Sequence, residues 1–324
     1  MDGVKGRVLV TGGHGYVGGR MTRHLAARGW TLRAGSRRPN PETRETDTAV
    51  ETVVTDYEST DSLRAACRGC DAIVHLAAPN ERESASDPEQ ALIANAVHTL
   101  RLVDVAVAEG VGRFIYFSTG HVYGALAGRI DEATPARSTH PYGIAHRAAE
   151  DWVLAAHARG QLSGLVIRLS NGFGAPAHPH ISRWTLLVND LCRQAVETRT
   201  LILRGDGGEW RNFIPLADVE NMVVHLLHLP DDLAGDGLFN AGSLRSTRVI
   251  AMADLVAARC ERILQFRPAI SVAAQLAREH PLLDYRIDRL QATGFVPAGD
   301  FEHEIDRTLR VCAEWFLPRP GDAP

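Results

Sequence analysis

The feature that most restricts this chain is Gly12, Gly15 and Gly18, spaced G-x-x-G-x-x-G directly after the apolar run Val8-Leu9-Val10. A strand that feeds a glycine turn and then a helix points the helix N-terminus, with its unpaired N–H groups and positive dipole end, at whatever binds beyond the strand. The first glycine permits the tight turn, the second lets backbone approach a phosphate, and the third lets helix and strand pack closely. Periodicity predicts a helix over 19–28, with Met21 and Leu25 four apart and Gly29 as its stop.

The alternation continues along the chain. Strands are predicted at 31–34, 50–55, 72–77, 114–118, 164–169 and 238–240, and helices at 59–67, 87–109, 141–159, 216–229 and 246–262. This predicts an α/β fold: a doubly wound, mostly parallel Rossmann sheet with helices on both faces, whose glycine turn holds the pyrophosphate of a nicotinamide dinucleotide. After Leu169 the texture changes, with Gly, Ala, Pro and His concentrated in 172–182 and short strands near 200–204 and 212–216. Residues 1–169, completed by about 213–242, are read as the dinucleotide-binding domain. Residues 170–212 and 243–317 are read as a smaller, interleaved substrate-binding domain, and 318–324 as a loose tail.

The 324 residues suffice for roughly two domains of ~150. A net charge of −4 argues against a polyanion-binding surface, so no nucleic-acid partner is expected. No apolar run approaches the ~18 residues of a membrane helix, and the chain enters its first strand without a signal-peptide pattern. The five cysteines are odd in number and scattered, which suits a reduced, cytoplasmic thiol set. Cys67 and Cys70 form a C-x-x-C without a second pair, so no metal site is expected there.

The end of the second strand bears on cofactor choice. A carboxylate there would bind the ribose 2′-OH, but the chain reads Gly35-Ser36-Arg37-Arg38. Two guanidiniums and a hydroxyl suit a 2′-phosphate, which favours NADP(H) over NAD(H). Asp56, after the third strand, is placed to meet the adenine edge.

Several further segments resemble the extended short-chain dehydrogenase/reductase family, the nucleotide-sugar epimerases, dehydratases and ketoreductases. They are Thr11–Gly18, His75-Leu76-Ala77-Ala78, Asn95, Phe117–Gly124, Pro141-Tyr142-Gly143, Arg168–Gly174 and Gly205–Arg211. The resemblance implies that Tyr142 is the acid/base and Thr119 its hydroxyl partner. It implies a dinucleotide site that draws on Tyr16, Val17, Leu76, Ala77, Ala78 and Asn95 beside the glycines, with Tyr142 and His146 at its nicotinamide end. It also implies that Asn171, Arg211 and Arg286 bind the diphosphate of a nucleotide diphosphate sugar, and that helices near 95–109 and 143–159 form a homodimer bundle. A surface ion pair of Arg286 with Asp284 or Asp288 is the alternative for that arginine. Trp184 and Trp210 are candidates to stack on a base, with core packing as the alternative.

Two departures stand out. The family pattern is Tyr-x-x-x-Lys, but residues 142–146 read Tyr-Gly-Ile-Ala-His. Histidine is mostly neutral at pH 7 and stabilises a tyrosinate less than lysine does. Either His146 replaces the lysine, or catalysis is weakened, or another base has taken over. Dehydratases of the family carry an Asp-Glu pair after the threonine, where this chain has Gly120-His121, which disfavours 4,6-dehydration. His121 is either a proton donor near the sugar or a polar loop residue. The reading is therefore a keto-sugar reductase or an epimerase working through a 4-keto intermediate. A non-catalytic dinucleotide sensor and a reductase of a small non-nucleotide carbonyl are the alternatives.

Overall fold

The computed structural model describes residues 5–37, 50–273 and 279–317, so Arg38 and the 318–324 tail lie outside the described residues. One sheet is built from β1 (Lys5–Thr11), β2 (Trp30–Ser36), β3 (Val50–Val54), β4 (Ala72–His75), β5 (Arg113–Thr119), β6 (Ser163–Leu169) and β7 (Leu238–Ala241). Its order is β3-β2-β1-β4-β5-β6-β7, and every pairing is parallel. All four residues of β4 are buried, as a parallel strand between two helix layers requires. The strand order reverses between β1 and β4, which opens a crevice at their C-terminal ends.

Two apolar cores flank this sheet. On one face the Tyr16–Ala26 and Leu216–Leu227 helices bury Met21, Leu25, Val219 and Val223 against Val8, Val10 and Ile115. On the other, the Thr60–Cys67, His98–Ala108 and Pro141–Ala158 helices bury Leu63, Leu102, Ala149 and Val153 against Leu9, Ile73 and Phe114. The fold is thus the α/β Rossmann arrangement expected. A third core lies among the Leu187–Thr198, Val249–Leu264 and Phe301–Phe316 helices, around Leu191, Met252, Val256 and Leu309.

The first helix starts at Tyr16, earlier than predicted, with Gly15 as its N-cap. Gly18 therefore lies inside the helix, where its small size matters and not any turn. The Leu187–Thr198 and Phe301–Phe316 helices, not among the predicted ones, bury Leu191, Val196, Ile305 and Leu309 together with Asn189, Asp306 and Thr308. The segment expected to be helical from 246 forms a short strand, Ser246–Arg248, before its helix. Contrary to expectation, the helical run Pro88–Ala108 is long and apolar enough to cross a bilayer. Here it is a core element: Ala91, Ala96, Leu102, Val103, Val105 and Ala106 are buried, and a π turn at Ile93–Val97 interrupts it. Cys67 and Cys70 are buried free thiols, and burial pushes Cys67 up to about 12.

Buried polar groups join the C-terminal third of the chain to the main sheet. Arg20, 2 % exposed, pairs with Glu220 at 2.6 Å and Glu304 at 2.7 Å and donates to the Ala175 carbonyl at 3.1 Å. These partners lie on two other helices and a loop. Removing the guanidinium leaves two carboxylates buried without a counter-charge, which costs about 3–5 kcal/mol. Arg20→Ala is expected to lower stability by that amount in urea unfolding followed by circular dichroism. A loss below about 1 kcal/mol would show that the three helices hold together without it.

Candidate active site

The glycine turn behaves as its spacing suggests. Gly12 sits at φ 63°, and the Gly15 N–H donates to its carbonyl at 2.8 Å. A Cβ on Gly18 would overlap the Gly12 carbonyl oxygen. Gly13, which the spacing does not single out, is equally constrained: a Cβ there would stand 2.9 Å from the Ala34 backbone. The Tyr16–Ala26 helix has no side-chain cap and no acidic residue in its first turn, so its N–H groups remain available to an anion.

These residues open onto a cleft of about 700 Å³ at the C-terminal edge of the sheet. Gly12, Gly15, Tyr16, Val17 and Gly18 form one wall, and Ser36 and Arg37 stand at the end of β2. Leu76, Ala77 and Ala78 form the facing wall, and Tyr142 and His146 also line the cleft. Thr11 fixes that facing wall: its hydroxyl accepts the N–H groups of Leu76 and Ala77 at 3.1 and 3.3 Å and lies 2.6 Å from His75 Nδ1. Two of the expected residues, Asp56 and Asn95, do not line the cleft. The Asp56 carboxylate accepts the Glu58 N–H at 3.0 Å within its own turn, and Thr55 and Tyr57 line the cleft instead. Asn95 is buried in the π turn behind Ala91 and Ala94, donating to the Ala91 carbonyl at 3.2 Å. The Tyr16 phenol donates to the Gly174 carbonyl at 2.8 Å and accepts from Asn189 at 3.0 Å, so it tethers the loop beyond β6.

The Pro141–Ala158 helix carries the reactive groups. Pro141 opens it, and the His140 side chain accepts the Tyr142 N–H at 3.2 Å. Tyr142, His146 and Glu150 then recur every four residues on one face. Glu150 is fully buried and accepts from Ser118 Oγ at 2.5 Å and from Arg168 Nε and Nη2 at 2.9 and 2.6 Å. It pins the helix to β5 and β6. The sequence reading passes over Glu150, although its spacing from Tyr142 and the arginine in β6 were visible.

His146 lies edge-on to Tyr142, with ring centroids 4.5 Å apart, and its Nδ1 is 2.7 Å from the Tyr116 hydroxyl. Burial pushes its pKa down to about 3, so the ring is neutral. Its Nε2 is a buried atom with no partner among the described residues. An unpaired buried ring nitrogen at this end of the cleft, together with the glycine cradle, fits a dinucleotide whose ribose hydroxyl would pair with it. Burial, and then the Glu81 charge, hold the Tyr142 phenol above its ordinary range, while Arg183 and the Thr119 hydroxyl pull the other way. Thr119 also accepts the His121 N–H at 3.1 Å and so shapes the turn after β5.

A second cavity, of about 590 Å³, adjoins the first, and Asn80 and Arg183 line both. His121, Asn171, Trp210, Arg211 and Arg82 line this second space. The His121 ring lies 6.0 Å from that of Tyr142, and burial lowers its pKa. The Arg211 guanidinium pairs with Glu209 at 2.9 Å, and Asn171 Nδ2 donates to the Asn212 carbonyl at 2.8 Å. Arg286 does not join them: it grips Asp288 at 2.9 Å and lines neither cavity. Trp184 is buried against Trp315 and Phe316, whereas Trp210 faces the cavity. Sequence reasoning missed Arg183, which lies in a loop without a motif.

The model of the NAD dependent epimerase/dehydratase family matches residues 8–242, and the chain belongs to that family. It is similar to the UDP-glucose 4-epimerase of Azospirillum brasilense, 27 % identical over 95 % of this chain and 91 % of the relative. It is likewise similar to the dTDP-L-rhamnose 4-epimerase of Burkholderia thailandensis, 28 % identical over 80 % of this chain and 82 % of the relative. It shares its fold with MoeE5 in complex with UDP-glucuronic acid and NAD (TM-score 0.77, 24 % identity, 94 % of this chain and 98 % of that one). Cleft and family agree on a nicotinamide dinucleotide as cofactor.

The buried imidazoles set an acid limit on stability. Burial lowers both His75 and His146 to about 3 in the folded chain, against about 6.5 when unfolded. Between those values the unfolded chain binds protons that the folded one does not, so stability falls as pH drops through this window. The slope is up to about 1.4 kcal/mol per pH unit per histidine. His146→Gln is expected to show a shallower loss than the parent in urea unfolding between pH 7 and 5. An unchanged slope would contradict a neutral His146.

Proposed function

We propose that this chain is a nucleotide-sugar oxidoreductase that moves hydride between a nicotinamide dinucleotide and a sugar carbon, as a 4-epimerase or as a keto-sugar reductase. The observation that carries this is the position of Tyr142, which lines the dinucleotide cleft and neighbours His121 of a second, arginine-lined cavity. The 4-epimerases among the relatives and the UDP-sugar held by MoeE5 support the substrate class.

The bound dinucleotide supplies the hydride acceptor or donor. The chain supplies the proton chemistry. Tyr142 Oη takes the proton of the sugar hydroxyl on oxidation and returns it on reduction, and the Thr119 hydroxyl holds the same oxygen. His146 pairs through Nε2 with a ribose hydroxyl. Arg211 exchanges Glu209 for the substrate diphosphate, a bidentate acceptor that suits a guanidinium, and Asn171 borders the same space. Gly120 has no side chain to act as acid or base, so 4,6-dehydration is disfavoured. Residues 170–212 and 243–317 act as the substrate-binding portion.

NADP(H) is the preferred cofactor, because β2 ends in Gly35-Ser36-Arg37 without a carboxylate and Arg37 lines the cleft. The outer face of the Pro141–Ala158 helix leaves Ile144 48 % and Trp152 41 % exposed, which supports a homodimer through this helix. The free thiols fit a cytoplasmic setting. A second reading, a dinucleotide sensor without turnover, draws on the neutral His146, which adds no positive charge beside Tyr142.

Tyr142→Phe separates the two readings. It is expected to lower turnover of UDP- or dTDP-sugars at least 100-fold while leaving dinucleotide binding unchanged. Full activity in this variant would overturn the tyrosine chemistry. Arg37→Ala is expected to weaken NADPH binding about tenfold, the loss of one charged hydrogen bond, with little change for NADH in calorimetric titration. Tighter binding of NADH than NADPH by the unaltered protein would refute the cofactor preference.

A further inference from the structure

Tyr142 lacks a cation on its own helix. His146 is neutral, and Arg147 spends its guanidinium on Asp151 at 2.7 Å and Glu150 at 3.2 Å. Arg183 and Tyr142 line the same cleft, and the charged or titratable groups that act on the phenol come from four other elements. Glu81 approaches from the Glu81–Ser86 helix, Tyr116 from β5, His121 from the turn after β5, and Arg183 from the loop before the Leu187–Thr198 helix. Arg183 is the one cation among them.

Its placement is built into the fold. The Arg183 carbonyl accepts from Asn189 Nδ2 at 3.3 Å, and the same amide nitrogen donates to the Tyr16 phenol at 3.0 Å, at the start of the helix that follows the glycine turn. Asn189 Oδ1 accepts the Gly174 N–H at 2.9 Å, and Asn189 is fully buried. The loop is thus fastened beside the dinucleotide cleft by backbone and buried side chains, with Arg183 lining both cavities. Its nearest carboxylate, Glu81, stands 3.9 Å away, beyond hydrogen-bond length, and both groups are partly exposed.

We propose that Arg183 supplies the positive charge against which Tyr142 gives up its proton, acting from the substrate side in the role that a lysine at position 146 would fill from the helix. This rests on the oxidoreductase reading above. In the oxidising direction the sugar O–H bond breaks as the Tyr142 Oη–H bond forms, the C–H electron pair leaves as hydride to the dinucleotide, and the C=O bond forms. Arg183 exchanges no proton; it lowers the energy of the phenolate that begins the step, formed when the phenol releases its proton to water. Substrate filling the second cavity displaces water from between the two groups and strengthens their attraction. Glu81 works in the opposite sense, as a negative charge on the same phenol.

The direct test needs no turnover. Trifluorotyrosine incorporated at position 142 ionises in an accessible pH range, and fluorine NMR reads its titration. Arg183→Gln is expected to raise that pKa by about one unit and Glu81→Gln to lower it, while Arg183→Lys stays near the parent. In the natural protein, Arg183→Gln is expected to lower kcat about tenfold at neutral pH, with recovery as pH rises and a smaller change in KM. An unmoved fluorotyrosine titration overturns the proposal whatever the activity shows. A raised KM with an unmoved pH profile of kcat also overturns it, and makes Arg183 a substrate-anion ligand only. If Tyr142→Phe keeps full turnover, the oxidoreductase reading fails instead, and the NMR titration still decides whether Arg183 acts on this phenol.

Discussion

The Tyr16–Ala26 helix approaches the end of β1 so closely that a side chain at Gly18 would overlap the Gly12 carbonyl. Much of the cleft follows from this contact. It aims uncapped N–H groups along the C-terminal edge of the sheet, at the point where strand order reverses. It places Tyr16 where its phenol reaches the Gly174 carbonyl and Asn189, and Arg20 where it meets Glu220 and Glu304. The same helix therefore borders the cofactor cleft and anchors the segments that border the second cavity.

A buried charge does comparable work across the cleft. Glu150 gathers Ser118, Arg168 and Arg147, locking the Pro141–Ala158 helix to β5 and β6. With this many charged and hydroxyl donors gathered on one buried carboxylate, the helix cannot rotate without stranding it. His146 and Tyr142, about one and two turns before it, inherit that orientation. Tyr116 then determines which imidazole nitrogen faces the cleft. The ring that stands beside Tyr142 on this helix is therefore a neutral one.

The legible parts of the sequence were those whose meaning is local. The glycine spacing, the buried β4 run and the Pro141-Tyr142 helix start each follow from steric or hydrogen-bonding needs within a few residues. Arg286 stood between a diphosphate ligand and an ion pair with Asp284 or Asp288, and in the structure it pairs with Asp288, two residues on. Asp56 is lost in the same way to the backbone of its own turn. Arg183 meets Glu81 only once loop and helix converge from distant parts of the chain, so no window of residues announces it.

By itself the sequence determined the parallel sheet, the phosphate-facing turn and the helix that carries Tyr142, because glycine sterics and apolar periodicity act at short range. Only the tertiary structure decided the charge that Tyr142 experiences. Burial, Glu81, Arg183 and a neutral His146 converge on one phenol from separate elements, and electrostatic energy depends on distance and solvent exposure, which exist only after the chain has folded.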